Sequence, residues 1–118
     1  MYGFYYKAGK TWEDVKLWEA TKNNEVISFA VADFIKQDTY WNIGTFKDLA
    51  EEIKMALKAD YSYPIIIDEQ GGLVDGAHRI VHAYLDGVET IKAVTIREEQ
   101  FPEPDYDEHK AVLENLQV

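Results

Sequence analysis

No cysteine occurs among the 118 residues, which excludes disulfides, thiolate metal sites and thiol nucleophiles and leaves the redox compartment open. Also missing is any apolar run near the roughly 18 residues that a membrane-spanning helix needs. Residues 1–7 have neither the charged opening nor the long apolar centre of a signal peptide. A cytoplasmic protein without membrane contact is the expectation. Basic residues are scarce: 12 Lys and Arg stand against 22 Asp and Glu, a formal net charge of −10. Lys and Arg neutralising phosphates supply most non-specific nucleic-acid affinity, so direct DNA binding is not expected. The acidity suits solubility or a basic protein partner. There is no internal repeat and no low-complexity tract.

What is present suffices for one core, since a chain of this size with 47% apolar and 14% aromatic residues buries roughly two thirds of its unfolded surface. Thr11, with Asp14 three residues on, has the form of a helix N-cap, and Trp12, Val15 and Trp18 fall near helical spacing. Together they predict a helix over 12–22, ended by Asn23-Asn24. The run 26–31 mixes alternation with β-branched and aromatic residues and reads as a strand, and 36–42 reads as a loop. Thr45 with Asp48 forms a second N-cap signal, and Phe46, Leu49, Ile53, Ala56 and Leu57 make an apolar stripe over 46–59.

Tyr63-Pro64-Ile65-Ile66-Ile67-Asp68 is a β-branched run entered through proline, and Glu69-Gln70-Gly71-Gly72 turns it back into Leu73-Val74 as a hairpin. A helix from about Ala77 to Leu85 closes at Gly87, and 91–96 alternates as a last strand. Residues 98–105 form an acidic linker broken by Pro102 and Pro104, and 107–116 form a terminal helix. The expected organisation is an N-terminal helical extension over 1–24, a domain over 25–97, and an acidic linker with a C-terminal helix over 98–118. The fold class is α+β, a small mixed β-sheet packed with helices.

Asp75-Gly76-Ala77-His78-Arg79, between that hairpin and the following helix, carries the chemistry. A glycine at the turn lets a ligand approach the backbone, the first helical amides are unpaired donors, and Arg79 offers planar donors to two phosphate oxygens. His78 either donates to phosphate and exchanges protons or is an ordinary hydrogen-bonded residue. Asp75 reads as a Mg²⁺ ligand accompanying a nucleotide or as the helix N-cap. His78 and His82 share a helical face at metal-ligand spacing but lack an obvious third ligand. Asp68 and Glu69 read as turn residues or as acids for metal or proton transfer. Tyr40 and Trp41 either stack on a nucleobase or pack on the core, Trp12 and Trp18 suit core packing, and Lys36 and Lys47 either neutralise phosphate or are solvated.

The order helix, strand, helix, hairpin, helix, strand, with Gly76-Ala77-His78-Arg79 opening the last domain helix, resembles the ParB and sulfiredoxin superfamily over about 25–97. Phe46 to Ile67 resembles its helix leading into a Pro-Ile-x-Val strand, and Gly87 to Ile96 its closing strand. The resemblance implies phosphates of a nucleotide, or of a phosphorylated small molecule, held by Gly76, Ala77, His78 and Arg79; the stacking reading of Trp41 would add a nucleobase contact beside them. Sulfiredoxin chemistry needs a cysteine where Ala77 stands, so that activity is excluded. Partition proteins that hydrolyse CTP carry a glutamate there, an earlier Arg motif that 33–44 lacks, and a following helix-turn-helix. Small-molecule kinases of the superfamily, such as those acting on free serine, are similar in having Asp-Gly-x-His-Arg, which carries over to Asp75, Gly76, His78 and Arg79. An enzyme built this way implies a Mg²⁺-dependent nucleotide hydrolase or kinase using ATP or CTP, with His78 and Asp75 catalytic and Asp75 on the metal. The alternative is a non-catalytic acidic interaction protein, an accessory factor or inhibitor that covers a basic nucleic-acid-binding partner.

Overall fold

The structure, a computed structural model, describes residues 4–39 and 41–116. The elements run β1 (Phe4–Lys7), β2 (Lys10–Glu13), α1 (Asp14–Thr21), β3 (Ile27–Ala30), α2 (Val31–Ile35), α3 (Phe46–Lys58), β4 (Ile65–Ile67), β5 (Leu73–Asp75), α4 (Ala77–Leu85), β6 (Thr90–Thr95), β7 (Tyr106–Asp107) and α5 (Glu108–Leu116). A mixed four-stranded sheet in the order β3-β6-β4-β5 organises them, with β4 parallel to β6 and the other pairs antiparallel.

All three isoleucines of β4 are buried, because both faces of this interior strand are covered. Alternation sends Ile65 and Ile67 to one face, where they meet Val31 and Phe34 of α2, Ile80 and Ala83 of α4, and Ile91 and Ala93 of β6. Ile66 points to the opposite face and packs with Val74, Val94, Ile96, Trp12 and Leu17. Each of the larger aliphatic and aromatic side chains contributes about 1.5–3 kcal/mol by leaving water. The sheet therefore separates two cores, α2 and α4 on one side and the amino-terminal residues on the other.

The predicted helix over 12–22 starts late. Thr11 and Trp12 lie in β2, paired with Tyr6 and Tyr5, and α1 begins at Asp14 with no side-chain cap. The cause is a tight turn at Ala8-Gly9, both at positive φ (52° and 78°), which folds β2 back on β1 and draws Trp12 into the core. The acidic tail returns to this hairpin. β7 pairs with β2, Trp12 Nε1 donates to the Pro102 carbonyl at 2.8 Å, and Phe101 packs on Trp12 with ring centroids 5.1 Å apart.

The strand expected over 26–31 stops at Ala30, and α2, unrecognised in the sequence, inserts Val31 and Phe34 into the core. The cap of α3 is a reciprocal box: the Asp48 amide donates to Thr45 Oγ1, and the Thr45 amide donates to the Asp48 carboxylate, both at 3.1 Å. Of its apolar stripe only Ala56 is buried, because α3 turns a different face, with Asp48, Glu52 and Met55, inward. At the end of α4, Gly87 (φ 73°) donates to Tyr84 and Val88 donates to Ala83, a Schellman closure. That closure fixes where β6 starts, and hence where α4 lies over the sheet.

Candidate anion site at the start of the fourth helix

Gly76 occupies the N-cap position of α4 at φ 122°, and no side chain caps this end. A Cβ added there would lie 2.4 Å from Ile65 Cγ2, so the close approach of β4, rather than of a ligand, is what demands glycine. The first helical hydrogen bond runs from the Ile80 amide to the Gly76 carbonyl at 3.1 Å. The amides of Ala77, His78 and Arg79 precede that ladder and carry the positive end of the helix dipole.

Asp75 is not the cap. It ends β5, and its largely buried carboxylate accepts from Trp18 Nε1 and faces the Arg79 guanidinium at 3.7 Å. Arg79 also donates from Nη1 to the Pro64 carbonyl at 3.2 Å and lies 5.6 Å from the Trp18 ring. Its side chain thus bends round the start of β4 and lines a cleft of about 490 Å³. Trp18, Val26, Tyr63, Pro64, Ile66 and Val94 make the apolar wall of the cleft, and Thr21, Lys22 and Arg79 its polar part.

His78 turns the other way. Its Nε2 donates to Glu52 Oε2 at 2.7 Å, and its ring stacks on Trp41 at 4.7 Å and 21°. Trp41 is therefore engaged with His78 rather than held open for a nucleobase, and Tyr40 lies outside the described residues. His82 Nδ1 donates to the Ala59 carbonyl at 2.7 Å, so the two histidines serve different partners. Asp68 accepts the amides of Gln70 and Gly72 in the hairpin turn, and Glu69 accepts that of Glu98. Those bonds account for both acids structurally. The sequence reading missed Glu52, Trp18 and Lys22. Glu52 gave no signal in the chain, because the apolar periodicity of α3 favours the opposite face and only the fold turns Asp48, Glu52 and Met55 inward.

Burial pushes the Asp75 carboxyl above the ordinary aspartate range, against the opposing pull of the Trp18 hydrogen bond and the Arg79 charge; Asp14 nearby raises it further. The folded protein therefore takes up this proton at a higher pH than the unfolded chain does. Stability from the neutral form is complete below the ordinary range and is lost as pH rises through the raised value. Asp75→Asn keeps an acceptor for Trp18 and removes the buried charge. The variant is expected to be more stable than the parent near pH 7 in urea unfolding, an advantage that disappears on acidification towards about pH 4.

These commitments do not fit Asp75 to Mg²⁺. Its carboxylate is engaged by Trp18 and Arg79, and no group of three metal-ligating side chains exists among the described residues. A second recess, of about 530 Å³ between the tail and α5, carries Glu103, Asp105, Asp107 and Glu114 against Lys10 and Lys110, which is unsuited to an anion. No family model, no curated protein and no solved structure matches this chain.

Proposed function

We propose that this chain binds a nucleotide or another phosphorylated small molecule at the corner where β5 meets α4. The phosphate is drawn to the α4 amides and Arg79, and the apolar body enters the cleft against Trp18 and Tyr63. The observation that carries this reading is an uncapped helix start whose Arg79 also lines an apolar cleft, where Lys22, paired with Glu19 at 2.9 Å, is a second basic lining residue. About 490 Å³ lies within the range of roughly 300–1,000 Å³ usual for small-molecule sites. The succession of β3, α3, the β4–β5 hairpin, α4 and β6, with the short helix α2 inserted after β3, supports assigning the domain to the ParB and sulfiredoxin arrangement. His78 and Asp75 are both committed to neighbours, so binding, rather than a reaction, is the function proposed.

Calorimetric titration with ATP, CTP and ADP, each with and without Mg²⁺, tests the reading. Saturable heat with at least one nucleotide is expected, of similar affinity without the metal because the described residues hold no group of three metal-ligating side chains. Absence of heat with all three would refute the nucleotide reading, and absence of heat with inorganic phosphate and pyrophosphate as well would refute the anion site. The tail recess supports a second reading, capture of a basic partner segment, whose affinity falls steeply as salt rises.

A further inference from the structure

Helix α3 carries an apolar ridge that the described residues leave uncovered. Phe46 is 92% exposed, and Leu49, Ile53 and Leu57 are 41%, 41% and 52% exposed. Their spacing of i, i+3, i+7 and i+11 sets them along one line of the helix. Ile43, exposed just before the helix, adds a further apolar side chain near its start. The packing face of α3, with Glu52 on His78 and Ala56 buried, is a separate one. A ridge of large apolar side chains over three turns is the kind of patch that marks association.

Charge decides the partner. At 100° per residue Lys47, Lys54 and Lys58 follow one another along the outer border of the ridge, and all three are exposed. Among the described residues Lys54 and Lys58 form no ion pair, and Lys47 reaches Glu51 only at 3.9 Å. Thus three of the twelve basic residues of a chain with net charge −10 stand on one edge of one helix. Antiparallel pairing of two α3 ridges would set lysine border against lysine border, and parallel pairing would set it against the face already occupied by α4. A second copy is therefore disfavoured.

We propose that the α3 ridge docks an amphipathic helix of a partner protein whose apolar stripe is bordered by Asp or Glu. The lysine row attracts the acidic border, and the acidic surface elsewhere repels it, which fixes the location of docking. The anion site takes no part, so the two proposals stand or fall separately.

The test uses the full chain and two synthetic helical peptides with the same leucine stripe, one bordered by Glu and one by Lys, followed by fluorescence anisotropy. The Glu-bordered peptide is expected to bind about tenfold tighter or better, and less tightly as salt rises. Ile53→Glu with Leu57→Glu should abolish binding with an unchanged circular dichroism spectrum, because both positions are exposed. Lys47→Glu, Lys54→Glu and Lys58→Glu together should reverse the preference between peptides. Equal affinity for both peptides, binding of neither, indifference to these changes, or ridge-dependent self-association in sedimentation would overturn the proposal.

Discussion

Gly76→Ala is expected to destabilise the protein by roughly 2–5 kcal/mol, adding the strain of a non-glycine residue at φ 122° to a forced displacement of Ile65. The added Cβ would lie 2.4 Å from Ile65 Cγ2 and 2.8 Å from its Cβ, in a strand buried on both faces, so neither partner yields cheaply. Gly87→Ala is the control. It has positive φ but nothing within 4 Å of the added carbon, so only backbone strain remains, about 1 kcal/mol. Urea unfolding of the two variants separates clash from strain. Combining Gly76→Ala with Ile65→Ala should cost less than the sum of the single changes, because the second substitution removes one clashing atom. Equal effects at Gly76 and Gly87 would mean that β4 does not press on the helix start.

Arg79→Ala is expected to abolish nucleotide binding, because it removes the guanidinium that lines the cleft beside Pro64 and Trp18. Arg79→Lys should lose about tenfold or more, since an ammonium supplies charge without the paired planar donors. A stability cost accompanies both changes. Asp75 loses its cation while remaining largely buried, and the Pro64 carbonyl loses a donor, together about 1–3 kcal/mol. Adding Asp75→Asn to Arg79→Ala separates the two roles: it should restore most of the stability and none of the binding. Recovery of binding in the double variant would show that Arg79 serves only to neutralise Asp75.

Signals carried by neighbouring residues were legible in the chain. The Thr45/Asp48 box, the turn into Leu73 and the Gly87 closure each follow from residues within a few positions of one another, and the structure contains all three. Contacts between distant residues were not. Trp18 meets Asp75 across 57 positions, and a two-residue strand at Tyr106–Asp107 pairs with β2 from the far end of the chain. The β1–β2 turn escaped because Ala8, rather than Asn, Asp or glycine, takes its first positive φ, and so Thr11 was read as a cap. Periodicity revealed the α3 stripe but not whether a neighbour covers it. At the site itself the composition of 75–79 pointed to an anion, whereas the directions of the side chains depended on folding: Arg79 towards Pro64, His78 towards Glu52, Trp41 onto His78.

The central claim is that a phosphate sits at the start of α4 with its apolar body in the adjoining cleft. Nitrogen–proton correlation spectra recorded while the tightest of ATP, CTP and ADP is added test it most directly. The amides of Ala77, His78 and Arg79 and the Trp18 indole should shift together and saturate at one affinity. Saturating shifts confined to the tail recess or to α3, with those four signals unmoved, would contradict it.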